Sequence, residues 1–141
     1  LERNELQLME ELKVRDKVVQ ISVNDQLLCE LYRRALVFVY PSLYEGFGIP
    51  ILEAFACQCP IALSQASCFP EIAEKAAAYF DPYSVESIAN TLLQVIKDKE
   101  MRTQLIAAGK KRLYLYSWDK AAQQTEEVYN KIMIEKYPQT L

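Results

Sequence analysis

Glu45-Gly46-Phe47-Gly48-Ile49-Pro50-Ile51-Leu52-Glu53 reads as a glycine turn feeding a helix, with a carboxylate at each end. Before it, Leu36-Val37-Phe38-Val39-Tyr40 is a short apolar run of β-branched and aromatic residues stopped by Pro41, the pattern of a buried strand. After it, residues 50–57 read as a helix. Gly46 and Gly48 permit positive φ and close approach of a ligand to the backbone, and Pro50 suits the first helical position. That places Ile49 at the cap, where a side chain without an acceptor leaves the first amides open. Open amides at the positive end of a helix dipole, beyond the carboxyl end of a strand, suit a phosphate.

The two carboxylates read differently. Glu53 is expected in the first helical turn, where it either complements the dipole or accepts from a diol such as a ribose. Glu45 precedes the turn, so the dipole reading weakens and an aim at ligand hydroxyls gains. On these residues alone, a phosphate-ligand site and a plain strand-to-helix turn both stay open.

The longer pattern Pro41-Ser42-Leu43-Tyr44-Glu45-Gly46-Phe47-Gly48-Ile49-Pro50-Ile51-Leu52-Glu53-Ala54 resembles the Glu-x7-Glu signature of the retaining, GT-B fold glycosyltransferases of group one. The likeness continues through Ala56-Cys57-Gln58-Cys59-Pro60, Pro70-Glu71-Ile72, Ala77 to Pro82, Ser117-Trp118 and Tyr129, and so covers nearly the whole chain. It implies the C-terminal, donor-binding portion of an enzyme that moves a sugar from a nucleoside diphosphate to an acceptor with retention. It further implies that Glu45, the residue nearest a catalytic role, contacts hydroxyls of the donor sugar. Gly46, Phe47, Gly48, Ile49 and Pro50 would line the sugar and diphosphate, and Glu53 would hold the ribose. Carboxylates repel phosphate oxygens, so both should face neutral hydroxyls. One departure stands out. Gln58 occupies a position where the family usually has Gly, and it carries a steric penalty if that position is left-handed.

The chain has 141 residues, 51% hydrophobic and 25% charged, which suits one globular core and a single domain over 1–141. Its formal net charge of -3 gives no global pull toward nucleic acid or anionic lipid. Lys110-Lys111-Arg112, beside Leu113-Tyr114-Leu115-Tyr116, is read mainly as a solvated helix end and secondarily as a weak peripheral membrane contact. With no His, a His-dependent triad is excluded, and Cys29, Cys57, Cys59 and Cys68 lack zinc-ligand spacing. They are expected as thiols, with no metal and no cofactor besides the nucleotide-sugar substrate. Neither a leader nor a membrane-spanning run is legible, so the expected location is cytoplasmic, at most at the inner face of a membrane.

The expected order of elements is a helix over 1–14, a strand over 18–22, a helix over 25–35, the strand and helix around the motif, a strand at 61–63, a helix at Pro70-Glu71 and a strand at 78–80. Such alternation predicts an α/β parallel sheet of about four strands with helices on both faces, and the resemblance implies that this sheet is Rossmann-like and part of a GT-B C-terminal domain. Two amphipathic stripes follow, Val85, Ile88, Ala89, Leu92, Leu93 and Ile96, then Ala121, Ala122, Thr125, Val128, Tyr129 and Ile132, each expected to face a core. The second belongs to a C-terminal helix over about 117–136, whose entry Trp118 is expected to staple.

The resemblance also implies further strands and basic diphosphate ligands before Leu1, and an acceptor (sugar, lipid or protein) bound to an N-terminal domain, so that the piece alone would be inactive. Two other readings are a non-hydrolysing sugar-nucleotide epimerase of the same architecture and a non-catalytic binding module.

Overall fold

A computed structural model describes residues 2–136. The elements run α1 (Arg3–Glu11), α2 (Asp25–Arg34), β1 (Phe38–Tyr40), α3 (Ile49–Ala56), β2 (Ile61–Ser64), α4 (Phe69–Ala73), β3 (Ala78–Phe80), α5 (Val85–Lys97), α6 (Lys99–Leu113) and α7 (Trp118–Lys136). Short 3-10 turns occupy Arg15–Lys17 and Glu74–Ala76. The three strands form one parallel sheet in the order β1-β2-β3, with Phe38 beside Ile61 and Ala62 beside Ala78. Both connections are helical crossovers, as parallel pairing demands.

Strand alternation sorts the side chains onto two faces. Ile61 and Leu63, with Phe38, Tyr40 and Tyr79, join α2, α3 and α4 in one core around Phe55, Phe69 and Ile72. Ala62, Ala78 and Phe80, with Val37 and Val39, pack beneath Val95 of α5 and Leu105 of α6. The helix α6 serves both cores, because Ala108 and Leu113 also reach the first. It can lie against α3 because Gly109 has no side chain: a Cβ there would run into the ring of Phe55.

Arg112 corrects the reading of the basic cluster. Lys110 and Lys111 are exposed, but the Arg112 side chain is only 16% exposed. Its guanidinium donates to the carbonyls of Glu71 and Ile72, to Glu74 Oε1 at 2.8 Å and to the Tyr116 hydroxyl, tying α6 to the carbonyl end of α4. Arg fits this place because its planar fork serves several acceptors at once.

Four further expectations fail. Helix α1 stops at Glu11, and Leu1 lies outside the described residues. Residues 18–22 form no strand: Val19 and Ile21 are exposed, and among the described residues no strand lies beside them to complete a ladder. The buried face of α5 is turned by one residue from the expected stripe, with Ile88, Thr91, Leu92 and Val95 inward and Val85 and Ala89 exposed. Thr91 is accommodated because its hydroxyl donates to the Tyr79 carbonyl. Helix α7 starts where expected, with Ser117 Oγ accepting from Lys120 N, yet buries no residue, and Trp118 is 83% exposed rather than stapling the entry.

Candidate functional site

The site lies at the carboxyl ends of β1 and β2, where the loop leading into α3 meets the loop leading into α4. Gly48, not Ile49, is the N-cap of α3: it has φ 95 and ψ 51, and Ile49 and Pro50 follow as the first two helical residues. Of the two glycines only Gly48 uses positive φ. A Cβ on Gly48 would meet Ile51 at 3.0 Å and Phe69 at 3.3 Å, whereas one on Gly46 would meet nothing. Glycine at 48 thus answers backbone geometry and packing, while Gly46 opens onto free space.

The expectation of an uncapped helix holds, since no side chain caps α3. Ile51 N donates to Gly48 O at 2.9 Å and Pro50 has no amide proton, which removes both from the open set. Among the described residues nothing accepts from the amides of Gly46, Phe47, Gly48 and Ile49.

The loop after β2 orients this turn. Ser67 Oγ accepts from Glu45 N at 3.1 Å and donates to Glu45 O at 2.8 Å. Cys68 Sγ lies 3.4 Å from Glu45 O and 3.1 Å from Phe47 O, and Ser64 Oγ donates to Ser42 O. In a trans peptide the carbonyl and the following N–H point in opposite directions, and no peptide here is cis. Pinning the carbonyls of Glu45 and Phe47 toward Ser67 and Cys68 therefore turns the amides of Gly46 and Gly48 the other way. From a third side, the Phe47 ring rests edge-on against Tyr116, with centroids 5.6 Å apart.

Glu45 is half-buried, and its Oε1 accepts from Tyr40 Oη at 2.7 Å and from Ser42 Oγ at 2.9 Å. Burial and the hydrogen bond to Glu45 push the Tyr40 hydroxyl up to about 12, so it stays a donor at neutral pH. Glu53 is the fifth residue of α3, in its second turn rather than its first, so the dipole explanation of this carboxylate weakens. It is exposed, and its Oε2 accepts from Tyr32 Oη on α2 at 3.3 Å. Burial, then the charge of Glu53, raises the Tyr32 pKa strongly.

The predicted residues Glu45, Gly46, Phe47, Gly48, Ile49 and Pro50 thus form one turn at the carboxyl edge of the sheet, and Glu53 sits one turn further along the same helix. Sequence reading missed Tyr32, Tyr40, Ser64, Ser67 and Cys68. Their partners lie up to 23 residues away, beyond the reach of local spacing; only the alternation along β1 could have put Tyr40 and Phe38 on one face. The cysteines are free, as expected, and Cys29 Sγ on α2 lies 3.0 Å from Cys57 Sγ at the end of α3. Among the described residues no cluster could hold a metal ion, and no helix is long and apolar enough to cross a membrane.

In chemical terms the arrangement offers directed amide donors for an anion, with two acceptors for hydroxyl groups on either side. The family model described as glycosyl transferases group 1 matches residues 2–112. The O-antigen chain mannosyltransferase B of Escherichia coli is 39% identical over 107 residues, 76% of this chain and 28% of that protein. Among solved structures, the sucrose-phosphate synthase of Thermosynechococcus elongatus aligns with a TM-score of 0.81 at 26% identity, over 94% of this chain and 34% of that one. The C-terminal domain of a group 1 family glycosyl transferase from Francisella tularensis aligns with a TM-score of 0.64, also at 26% identity, over 81% of this chain and 64% of that domain. This chain therefore spans about a third of the mannosyltransferase and of the synthase, and the parallel sheet flanked by helices is the Rossmann-like architecture of the GT-B fold. The chain belongs to the glycosyl transferases group 1 family.

Proposed function

We propose that this chain is the donor-binding portion of a retaining glycosyltransferase, which transfers a sugar from a nucleoside diphosphate to an acceptor held largely by another part of the protein. The observation that carries this reading is the turn from Gly46 to Ile49, whose amides have no partner among the described residues and whose carbonyls at 45 and 47 are held back by Ser67 and Cys68. Four amide donors without an internal acceptor suit the diphosphate. Glu45 then accepts from hydroxyls of the transferred sugar, Glu53 accepts from the ribose diol, and Pro50 sets the first helical turn with its fixed φ.

Group transfer follows from electrostatics. As the bond from the anomeric carbon to the diphosphate oxygen breaks, negative charge collects on the departing diphosphate, while the acceptor hydroxyl bonds to that carbon on the same face and gives its proton to the diphosphate. Fixed amides already aimed there lower the barrier without reorganising. The chain brings no His to act as base, and the scheme routes no step through a metal or cofactor. Glu45 is the residue nearest the reacting centre, where its charge also suits a developing oxocarbenium ion.

Calorimetric titration with UDP, GDP and ADP and with the corresponding nucleotide sugars tests the assignment. Glu53→Ala is expected to weaken nucleoside diphosphate and nucleotide sugar alike, by about tenfold, while Glu45→Ala weakens only the nucleotide sugar, by a similar factor. Unchanged affinity in both variants would contradict the assignment of the two carboxylates.

A further inference from the structure

We propose that Tyr40 and Tyr32 are positioning residues that each hold one oxygen of a donor-site carboxylate, leaving the other oxygen of Glu45 and of Glu53 to face ligand hydroxyls. The proposal rests on the donor-site reading above and deepens it.

Both hydroxyls that reach Glu45, those of Tyr40 at 2.7 Å and Ser42 at 2.9 Å, donate to the same oxygen, Oε1. Among the described residues nothing donates to Oε2. Glu53 has a single donor, Tyr32 on Oε2 at 3.3 Å, with Oε1 left open among the described residues, so the two-donor hold belongs to Glu45 alone. Two donors on one oxygen fix the plane of a carboxylate, and with it the direction of the remaining lone pairs.

The tyrosines can do this because their rings are locked. Tyr32 packs edge-on against Phe38 at 5.1 Å, Phe38 lies 5.7 Å from Tyr40, and Tyr40 lies 4.9 Å from Phe69. Four rings thus run in one row along the face of β1, and the tyrosine hydroxyls that emerge from it meet Glu53 and Glu45 respectively. The ordering of each carboxylate is met during folding rather than on binding. The open oxygens accept only, so they favour neutral O–H donors and reject phosphate. The longer Tyr32 bond, at 3.3 Å, makes that hold the weaker one.

The test is calorimetry on the full natural chain with UDP, GDP and ADP beside UDP-glucose, GDP-mannose and ADP-glucose, following whichever base binds. Tyr40→Phe keeps its ring in the row and is expected to weaken the nucleotide sugar about tenfold while leaving the matching nucleoside diphosphate within about twofold. Tyr32→Phe is expected to weaken both equally, by about threefold. Tyr40→Phe added to Glu45→Ala should cost nothing beyond Glu45→Ala alone, because it acts through that carboxylate. Should Tyr40→Phe fold poorly, Ser42→Ala removes the second donor to the same oxygen and is expected to show the same selective loss.

Loss of sugar and nucleotide affinity in equal measure on Tyr40→Phe, no loss at all, or full additivity with Glu45→Ala overturns the positioning role. A wild-type chain that binds none of the six probes instead overturns the donor-site reading itself, a result distinct from any difference between variants.

Discussion

Gln58 shows how a single residue can hold a turn at some expense. It has φ 57, in the left-handed region, directly after the last residue of the α3 cap. Cys59 N donates to Ala54 O at 2.9 Å and Gln58 N to Phe55 O at 3.1 Å, the two bonds of a Schellman motif. Buried Cys59 and Ala54 add its apolar contact. The motif forms although its left-handed residue carries a Cβ, so Gln58→Gly is expected to stabilise the chain by about 1 kcal/mol, measured by urea unfolding. Destabilisation on that change would show that the Gln58 side chain contributes more than its backbone costs. The strain at Gln58 was legible because a family pattern marks the position. So were Glu45 and Glu53 as candidate site residues, marked by their places around a turn and by the resemblance. The residues that aim them were not, since Tyr32, Ser67 and Cys68 reach the site through tertiary contacts across 21 to 23 positions.

At the scale of elements, periodicity marked α2, α5 and α7 as helices, left α6 without a predicted range, and misjudged what covers α5 and α7. A stripe of apolar residues states that a face is sticky; it does not say where a partner lies. Helix α7 carries such a stripe and buries none of it, and residues 18–22 carry a strand pattern without a strand to pair with among the described residues. On α5 the inward face is turned by one residue, which is tolerated because the Thr91 hydroxyl donates to the Tyr79 carbonyl, a partner no hydropathy pattern reveals. The glycine inside α6 is the reverse case, a residue of poor helix propensity retained for packing. Gly109→Ala should raise intrinsic helix propensity by about 1 kcal/mol. Collision with the Phe55 ring opposes it, and overpacking of about 1–3 kcal/mol is expected to win, giving a net loss of stability in urea unfolding. A gain would mean that α3 and α6 can separate without penalty.

For the molecule as a whole, alternation of strands and helices fixed the parallel sheet in advance, because both strand faces must be covered and parallel strands need crossovers. The resulting interior sets a pH response. Burial raises Tyr79 and Tyr40 to about 12 from 10.0, and Cys57 and Cys59 to about 11 from 9.0, with Tyr32 raised as well. Each group prefers its protonated form when folded, so its contribution is complete below the unfolded value. It is lost as pH climbs from about 9 toward 12. Urea midpoints are therefore expected to be level around neutrality and to fall through that alkaline window; a level profile across it would contradict the burial of these groups. The central claim, that the turn after β1 receives the diphosphate through amides aimed by the neighbouring loop, is most directly tested by amide NMR of this chain labelled with 15N-glycine. It contains three glycines, two in the turn and Gly109 in α6 as an internal reference. Titration with UDP, GDP and ADP is expected to shift Gly46 and Gly48 and leave Gly109 in place for the nucleotide that binds, whereas saturation that moves neither Gly46 nor Gly48 would contradict the account.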